Sequence, residues 1–201
     1  MSARDDILGR VRRALDGVEA GYAVPVAPRI APIADLVGHF AERVEDYQAV
    51  VERCTAEELA ARVAAALPTG ARVVVPAGLS VDVPGADEDG AGGRVFDAYE
   101  LDAYDAVVTE ARVGIAETGT IVLDHGPGQG RRAISLVPDL HVCIVRTDQV
   151  VPDVPDALPL LDPRRAHTWI SGPSATSDIE LDRVEGVHGP RKLVLILVEG
   201  S

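Results

Sequence analysis

The stretch that decides how this chain is organised runs from Trp169 to Leu193 and reads W-I-S-G-P-S-A-T-S-D-I-E-L-D-R-V-E-G-V-H-G-P-R-K-L. It places small residues, hydroxyls, acids and one histidine between two apolar segments of the kind that form strands. A second stretch, Gly114–Leu123 (G-I-A-E-T-G-T-I-V-L), has the same character. Because binding residues often lie on loops held by a rigid sheet, we expect the two stretches to meet at one site.

The composition favours an α/β protein. Of the 201 residues, 47% are hydrophobic and only 3% are aromatic, so Val, Leu, Ile and Ala must build the core. Helical patterns are followed by short apolar strands such as Val73–Val75, which is the repeating unit of a parallel sheet. We therefore expect a mostly parallel sheet covered by helices. Residues 1–30 are predicted to form an N-terminal helical arm and linker, and residues 31–201 the α/β domain.

Hydrophobic periodicity and turn residues predict the individual elements. Helices are expected at residues 2–15, 32–51, 55–67 and 147–161. Strands are expected at residues 73–75, 106–109, 113–116, 120–123, 140–145, 168–170 and 193–198. The remaining segments are predicted as an exposed loop at 78–93, an extended segment at 133–137 and a helix start at 175–181. The apolar stripe of the first helix packs against its own domain, which we favour, or against another protein.

The charge balance excludes several classes of partner. The formal net charge is −13, and such an excess of acids argues against a nucleic-acid partner and an anionic membrane surface. No apolar segment approaches the length that spans a bilayer, and the first residues are charged with no hydrophobic signal region. We therefore expect a cytoplasmic protein without membrane insertion. An anionic ligand would have to be held by local donors.

The chain has two cysteines, Cys54 and Cys143, which fall in different predicted elements. They lack the grouped spacing of a metal or iron–sulfur site, so buried, reduced thiols are expected. His141 and Cys143 share one face of a predicted strand, but a zinc site needs two more ligands. We expect neither a metal nor a cofactor in this chain.

The first group of candidate ligand-binding residues follows the strand at 168–170. Ser171, Gly172 and Ser174 precede the predicted helix start, where Ser174 or Thr176 would be the cap. Backbone N–H groups at a helix start, nearby hydroxyls and a glycine form an anion site, although an ordinary capped turn uses the same residues. The position at the carboxyl end of a strand favours the anion site. Asp178 either faces the ligand or interacts favourably with the helix dipole as an acid in the first turn of the predicted helix.

The second group contains the two candidate catalytic residues. His188 lies in a bent loop between glycines and is the best candidate for acid–base chemistry or ligand contact. Glu117 is either a carboxylate nucleophile or base, or a strand-end acid satisfied by backbone amides. The adjacent Thr118, Gly119 and Thr120 are candidate ligand-binding residues.

A glycine-rich segment, Asp124–Gly130, is followed by Arg131 and Arg132. Such a loop can cradle a phosphate group when a helix follows it, but an extended segment is predicted here, so a hairpin-like turn is favoured. Arg132 remains a candidate anion donor.

Several of these motifs together resemble a known family. They are I-A-E-T-G-T at 115–120, Arg132 with S-L-V-P at 135–138, I-S-G-P-S at 170–174 with Thr176, D-I-E at 178–180 and G-V-H-G-P at 186–190. In order and content they are similar to the lactate-utilisation protein C family, the LUD domain family also called LutC/YkgG.

The resemblance implies a fold similar to the ribose-5-phosphate isomerase, glucosamine-6-phosphate deaminase and CoA-transferase group. It also implies membership of a three-protein system that oxidises L-lactate to pyruvate, whose other members carry cysteine-rich and iron–sulfur domains. The absence of a cysteine motif in this chain agrees with the short, cluster-free member. The resemblance assigns no catalytic residues, so the candidate site above rests on chemistry and motif.

Three functions are compatible with these observations. The first, which we favour, is a cluster-free accessory subunit of an iron–sulfur L-lactate oxidation system with a pocket for a small anion. The second is a free-standing enzyme that acts on a phosphorylated sugar or a CoA thioester with Glu117 as base or nucleophile. The third is a ligand-binding or scaffold module that performs no chemistry.

Overall fold

The computed structural model describes residues 3–18, 30–176, 184–185 and 189–200. The helices are α1 (Ala3–Ala14), α2 (Leu36–Asp46), α3 (Leu59–Ala66), α4 (Ala98–Asp102) and α5 (Val154–Ala157). Short 3-10 helices lie at Ala91–Gly93, Arg132–Ser135, Thr147–Gln149 and Leu158–Leu160. The strands are β1 (Val50–Thr55), β2 (Val73–Pro76), β3 (Asp87–Asp89), β4 (Ala106–Glu110), β5 (Val113–Ile115), β6 (Thr120–Leu123), β7 (Leu140–Arg146), β8 (Val150–Val151), β9 (Thr168–Ile170), β10 (Ala175–Thr176), β11 (Val184–Glu185) and β12 (Lys192–Glu199).

Two sheets form the body of the protein. The main sheet has six strands in the order β1-β12-β7-β4-β2-β3, and every neighbouring pair is parallel. The second sheet has four strands in the order β8-β5-β6-β9 and is mixed. Strands β10 and β11 pair separately and antiparallel. The predicted α/β fold with a mostly parallel central sheet is therefore confirmed.

The central strands β7 and β12 are buried on both faces of the main sheet. Cys143 and Leu195 point to the face that α2 and the second sheet cover, whereas Val142 and Ile196 point to the face that α3 covers. Successive side chains of a strand alternate between faces, so a strand covered on both sides must be apolar throughout. This explains why the continuous apolar segments at 140–145 and 193–198 were predicted correctly as strands.

The predicted helix at 32–51 is wrong at its carboxyl end. Helix α2 ends at Asp46, and Gln48 has a φ of 67°, a conformation that no helix continues through. The chain then enters β1, which pairs only with β12 at the edge of the main sheet. The predicted helix at 55–67 is shorter than expected as well, since α3 begins at Leu59.

The predicted helix at 147–161 is replaced by four short elements: a 3-10 helix, β8, α5 and a second 3-10 helix. Pro152, Pro155 and Pro159 interrupt this segment. Proline lacks the N–H that a helix interior needs, so it is tolerated only near helix starts. The one longer-range pairing, between β8 and β5, adds a strand to the second sheet.

Three shorter segments also differ from their predictions. The predicted loop at 78–93 contains β3, which pairs with β2, and the predicted extended segment at 133–137 begins inside a 3-10 helix. Residues 175–176 form β10 instead of a helix start, and residues 177–181 lie outside the described part of the chain. In each case pairing or packing with a distant segment overrides the local preference.

Helix α1 confirms a helix near the N-terminus but buries no residue. Its apolar stripe is exposed, with exposed fractions of 62% for Ile7 and 60% for Leu15, so the expected packing against its own domain is not observed. Among the helices that the structure describes, none combines the length and apolarity needed to cross a membrane.

Candidate functional site

A pocket of about 360 Å³ lies between the two sheets, beside the amino ends of β7 and β12. The main sheet contributes His141 and Leu193, and the second sheet contributes β9. The remaining walls come from the 3-10 helix at Arg132–Ser135, the turn after β9 and Gly189–Pro190. Four predicted ligand-binding residues line this pocket, namely Arg132, Ser171, Gly172 and Ser174.

Hydrogen bonds between hydroxyl groups connect the two stretches that the sequence analysis singled out. Ser171 Oγ lies 2.8 Å from Thr120 Oγ1, and Thr120 Oγ1 lies 2.7 Å from Thr118 Oγ1. Strands β6 and β9 pair antiparallel, and this pairing holds the two segments side by side. Thr118 and Thr120 do not line the pocket themselves, and their hydrogen bonds connect them to it through Ser171.

Gly172 and Gly119 pack against the carboxyl end of α2. A Cβ atom on Gly172 would lie 2.5 Å from the Cβ of Tyr47, and one on Gly119 would lie 2.7 Å from the backbone of Arg43. Gly172 also has a φ of 80°, in the left-handed region that favours glycine. Gly172 was predicted to let a ligand approach, and Gly119 was predicted to be a ligand-binding residue. The space beside each is occupied by α2, although Gly172 also borders the pocket.

Arg132 supplies a positive charge at the pocket. Its side chain is exposed, and it forms no ion pair or hydrogen bond with any residue in the described ranges. The neighbouring Arg131 is different, because it donates to both carboxylate oxygens of Asp89 at 2.7 and 3.0 Å. Burial acts to raise the pKa of Asp89, but the bonds from Arg131 and from the Phe96 N–H outweigh it and lower that pKa. Arg131 therefore anchors the loop, whereas the Arg132 side chain has no such partner in the described ranges.

His141 lines the pocket although the sequence analysis considered it only as a metal ligand. It is 1% exposed, and its Nε2 lies 2.8 Å from Thr109 Oγ1 on the adjacent strand β4. Burial lowers the pKa of His141 to about 4 and raises the pKa of Cys143 to about 12. Both groups are therefore uncharged near neutral pH. The signal that could have drawn attention to this position is a histidine inside the otherwise apolar segment 140–145.

Glu117, a predicted catalytic residue, lies outside the pocket lining. Its side chain is 46% exposed, and its carboxylate lies 3.6 Å from Nε2 of His39 on α2. Its backbone N–H donates to the carbonyl oxygen of Pro152 at 3.0 Å. The structure thus places Glu117 beside α2, and its catalytic role stays a prediction.

A helix does not begin directly after Ser174, because residues 175–176 form β10, and the rest of the predicted helix start, residues 177–181, lies outside the described residues. The Ser174 N–H donates to the carbonyl oxygen of Pro190 at 2.8 Å, which joins the turn after β9 to the segment that follows His188 in the sequence. Thr176 belongs to β10. His188 and Asp178 lie outside the described residues, so their predicted roles stay predictions.

A second concave region, the carboxyl-end cleft, has a volume of about 630 Å³ and lies where β4 and β7 end. Its lining residues include Glu110, Arg112, Asp124, Gln129, Gln149 and Arg165. Asp124 is 7% exposed and pairs with Arg165 at 3.2 Å and Arg112 at 4.0 Å. Glu110 bonds to Ser80, and Arg146 lies 3.8 Å from its carboxylate. The charged side chains of this cleft are thus paired with one another or with nearby residues.

The glycine-rich segment borders the carboxyl-end cleft and is braced by its own backbone. The Gly128 N–H donates to Ala77 O at 2.9 Å, and the N–H groups of Gln129 and Gly130 both donate to Gly126 O. The Gly126 N–H donates to Asp124 Oδ1 at 3.1 Å. A phosphate cradle needs unpaired N–H groups. These bonds therefore support the turn that the sequence analysis favoured.

Within the described ranges, no group of three or more His, Cys, Asp or Glu side chains is placed to bind a metal ion. Cys54 and Cys143 are buried, as predicted, and neither forms a disulfide. They pack in different core clusters, whereas an iron–sulfur cluster needs four thiolates at one place.

Fold and site together define a class of α/β protein in which a parallel main sheet and a smaller mixed sheet enclose a polar pocket. The LUD domain model matches residues 37–198 of this chain. A crystal structure of a DUF162 family protein from Deinococcus radiodurans has a TM-score of 0.71 and 38% identity, covering 83% of this chain and 99% of that one.

Curated relatives agree with this match. A protein named "Lactate utilization protein C" from Deinococcus radiodurans is 44% identical over 98% of this chain and 95% of its own length. A protein of the same name from Bacillus subtilis is 36% identical over 45% of this chain and 41% of its own length. The chain belongs to the LUD domain family, which confirms the resemblance found in its motifs.

Proposed function

We propose that this chain is the cluster-free accessory subunit of an iron–sulfur system that oxidises L-lactate to pyruvate, and that its pocket binds a small anion. The name of the Deinococcus relative, which is 44% identical over 98% of this chain, supports the role in lactate utilisation. The cytoplasm is the proposed location, where reduced thiols such as Cys54 and Cys143 are the ordinary state.

The observation that carries the anion site is Arg132. Arg132 borders the pocket, as Ser171 does, and its side chain has no partner in the described part of the chain. A guanidinium group binds a carboxylate through two parallel hydrogen bonds, and a hydroxyl adds a third. Net charge of −13 disfavours an anion at long range, so a single local cation must provide most of the attraction.

Two further parts of the proposal concern residues and partners. His188 precedes Gly189, which lines the pocket, and we assign to it ligand contact or acid–base chemistry. Iron–sulfur and cysteine-rich partner proteins would supply the clusters and accept the electrons, because this chain has only two cysteines. No catalytic step is assigned to this chain alone.

The proposal is tested by gene deletion and complementation. We expect the deletion strain to grow poorly on L-lactate and normally on glucose, and the intact gene to restore growth. Arg132→Gln should fail to restore it, because loss of the charge-assisted bonds weakens anion binding about tenfold or more. Arg164→Gln is the matched control, since the Arg164 side chain is 88% exposed and pairs only with nearby Asp162.

Two results would contradict parts of the proposal. Normal growth of the deletion strain on L-lactate would reject the role in lactate oxidation. Full complementation by Arg132→Gln would reject Arg132 as the anion donor while leaving the system assignment intact. Affinity purification from lactate-grown cells should recover proteins that contain iron and acid-labile sulfide, and their absence would reject the assigned partners.

A further inference from the structure

The second sheet has a free edge at the pocket. Strand β9 is its outermost strand and, among the strands that the structure describes, pairs only with β6. Residues 167–174, which contain β9 and the turn after it, line the pocket without interruption. Successive side chains of a strand point to opposite faces, so a cavity that every residue of a strand borders lies along the edge of that strand. The pocket is therefore open to the backbone of β9.

Hydrogen bonds on the other side of β6 show which backbone groups of β9 point to this edge. The Arg112 N–H donates to the carbonyl oxygen of Val122, which therefore points toward β5. The bond from the Ala116 N–H to Val151 O on β8 fixes the same alternation along β5. The N–H and C=O of one strand residue point to the same side, and that side alternates along the strand. Since Val122 turns both groups away from β9, its partner Trp169 turns its own N–H and C=O toward the free edge.

The backbone N–H and C=O of Trp169 form no hydrogen bond with any residue that the structure describes. One donor and one acceptor on the same side of an extended backbone are the groups through which a further strand pairs. Their natural partner is a peptide residue in extended conformation, whose own N–H and C=O have the same spacing. Addition of a strand to a sheet edge is a recurring mode of peptide recognition.

The pocket has three further features that suit such a peptide. Arg132 borders it with a cationic side chain that has no partner in the described ranges, and a guanidinium group binds the carboxylate at the end of a polypeptide. The volume of about 360 Å³ lies in the range of sites for ligands larger than a three-carbon acid. Leu136 and Leu193 also line the pocket and provide apolar walls for an aliphatic side chain.

We propose that the pocket binds the carboxyl terminus of a partner polypeptide, with Arg132 on the terminal carboxylate and an upstream peptide residue paired as a strand with Trp169. Strand β9 then becomes an inner strand of a longer second sheet. This inference rests on the proposed function, because it takes Arg132 to be the anion donor, and it identifies the anionic group as the end of a protein chain. Backbone pairing supplies affinity that a small free carboxylate lacks.

The experiment measures binding of acetyl-tetraalanine to the purified full-length protein by calorimetry, with its carboxamide and L-lactate as comparison ligands. We expect the peptide acid to bind about tenfold more tightly than the carboxamide, which offers Arg132 no charge. It should also bind more tightly than L-lactate, which cannot pair with a strand. In Arg132→Gln the difference between peptide acid and carboxamide should vanish. Arg164→Gln, whose side chain is exposed, is the matched control and should keep it.

A series of N-methylated peptides tests the strand pairing separately. A methyl group on a backbone nitrogen removes a donor and blocks the close approach of two strands. Because alternate residues of a strand direct their N–H groups to the same neighbour, we expect losses of about tenfold at alternate positions of the peptide and small effects between them. Equal tolerance at every position would overturn the pairing.

Hydrogen exchange provides a readout on the wild-type protein, without a variant that must fold. The amide proton of Trp169 should exchange more slowly when the peptide acid is bound. That of Thr168, which the same alternation directs toward β6, should not change and is the internal control. Unchanged exchange at Trp169 with saturating peptide would overturn the inference.

The calorimetric outcomes separate this inference from the proposed function. If L-lactate and the peptide acid bind with equal affinity and Arg132→Gln abolishes both, the anion site stands and the peptide terminus is rejected as its ligand. If neither acid binds, the anion site itself is rejected, and the inference is rejected with it.

Discussion

The pocket and the carboxyl-end cleft lie against the same main sheet, but they differ in whether their charged side chains are paired. In the cleft, Asp124 pairs with Arg165 and Arg112, and Glu110 is bonded to Ser80. In the pocket, the Arg132 side chain has no partner in the described ranges, and one ring nitrogen of His141 forms no hydrogen bond with a described residue. Ligands of open parallel sheets commonly bind at the carboxyl ends of the strands. Here the charged groups at those ends are paired with one another or with nearby side chains, and the proposed ligand-binding residues lie at the other end.

The difference shows that charge alone is a poor guide to a site in this protein. A paired, buried carboxylate such as Asp124 contributes to stability, because the partner and the backbone N–H of Gly126 replace its lost hydration. An unpaired cation contributes little to stability and is free to bind. Substitutions in the cleft should therefore change the free energy of unfolding, and substitutions of Arg132 should change binding.

The largest expected effect is a loss of stability on substitution of Gly172 beside the pocket, compared with Gly128 in the glycine-rich segment that borders the cleft. A Cβ on Gly172 would meet the Cβ and carbonyl oxygen of Tyr47 at 2.5 and 2.9 Å, whereas one on Gly128 would meet chiefly the flexible end of Glu110. Both glycines have similar φ values, 80° and 74°, so the backbone penalty is shared. We expect Gly172→Ala to lower the free energy of unfolding by about 4 kcal/mol and Gly128→Ala by about 2 kcal/mol. Urea denaturation measures both, and equal losses would contradict the packing of the turn against α2.

The second prediction concerns the pH dependence that the pocket histidine gives to stability. Burial lowers the pKa of His141 to about 4 in the folded state, while the unfolded state keeps the ordinary value of 6.5. Between these values the unfolded state binds a proton that the folded state excludes. The contribution of His141 to the free energy of unfolding is therefore fully present above pH 6.5. It decreases by about 3 kcal/mol as the pH falls toward 4.

Urea denaturation at a series of pH values tests this window. His141→Phe should flatten the curve between pH 6.5 and 4, whatever its absolute stability, and His167→Asn should retain most of the slope. An unchanged slope in His141→Phe would show that another group is responsible.

The smallest of the three effects is expected in the cleft. Asp124→Asn removes the charge that pairs with Arg165 but keeps the side-chain volume, and we expect a loss of about 2 kcal/mol in the free energy of unfolding. Asp46→Asn is the control: its ion pair with Arg43 is exposed, so its loss should be within about 0.5 kcal/mol. Binding of lactate by Asp124→Asn should equal that of the wild type. A large loss of binding would mean that the cleft, too, contributes to the site.

The candidate site was predictable only where the sequence has local polar clusters. Ser171, Gly172 and Ser174 stand out between two strands, and Arg132 stands out beside a glycine-rich turn. His141 was missed as a pocket residue, because its position depends on the packing of β7 beside β4, and nothing in the sequence shows that these strands are neighbours. Gly172 was predicted to admit a ligand, but the position of Tyr47 shows that it also admits α2.

The sequence by itself determined the α/β class and the strands of the sheet centre, because burial on both faces demands continuous apolar segments such as 140–145 and 193–198. It did not determine the edge strand β1, whose side chains are largely exposed, or the division of the remaining strands into a second sheet. Only the tertiary structure decided which charged side chains are paired and which have no partner in the described ranges. Those pairings form between residues far apart in the chain, and their free energy depends on burial and distance that only the packed fold sets.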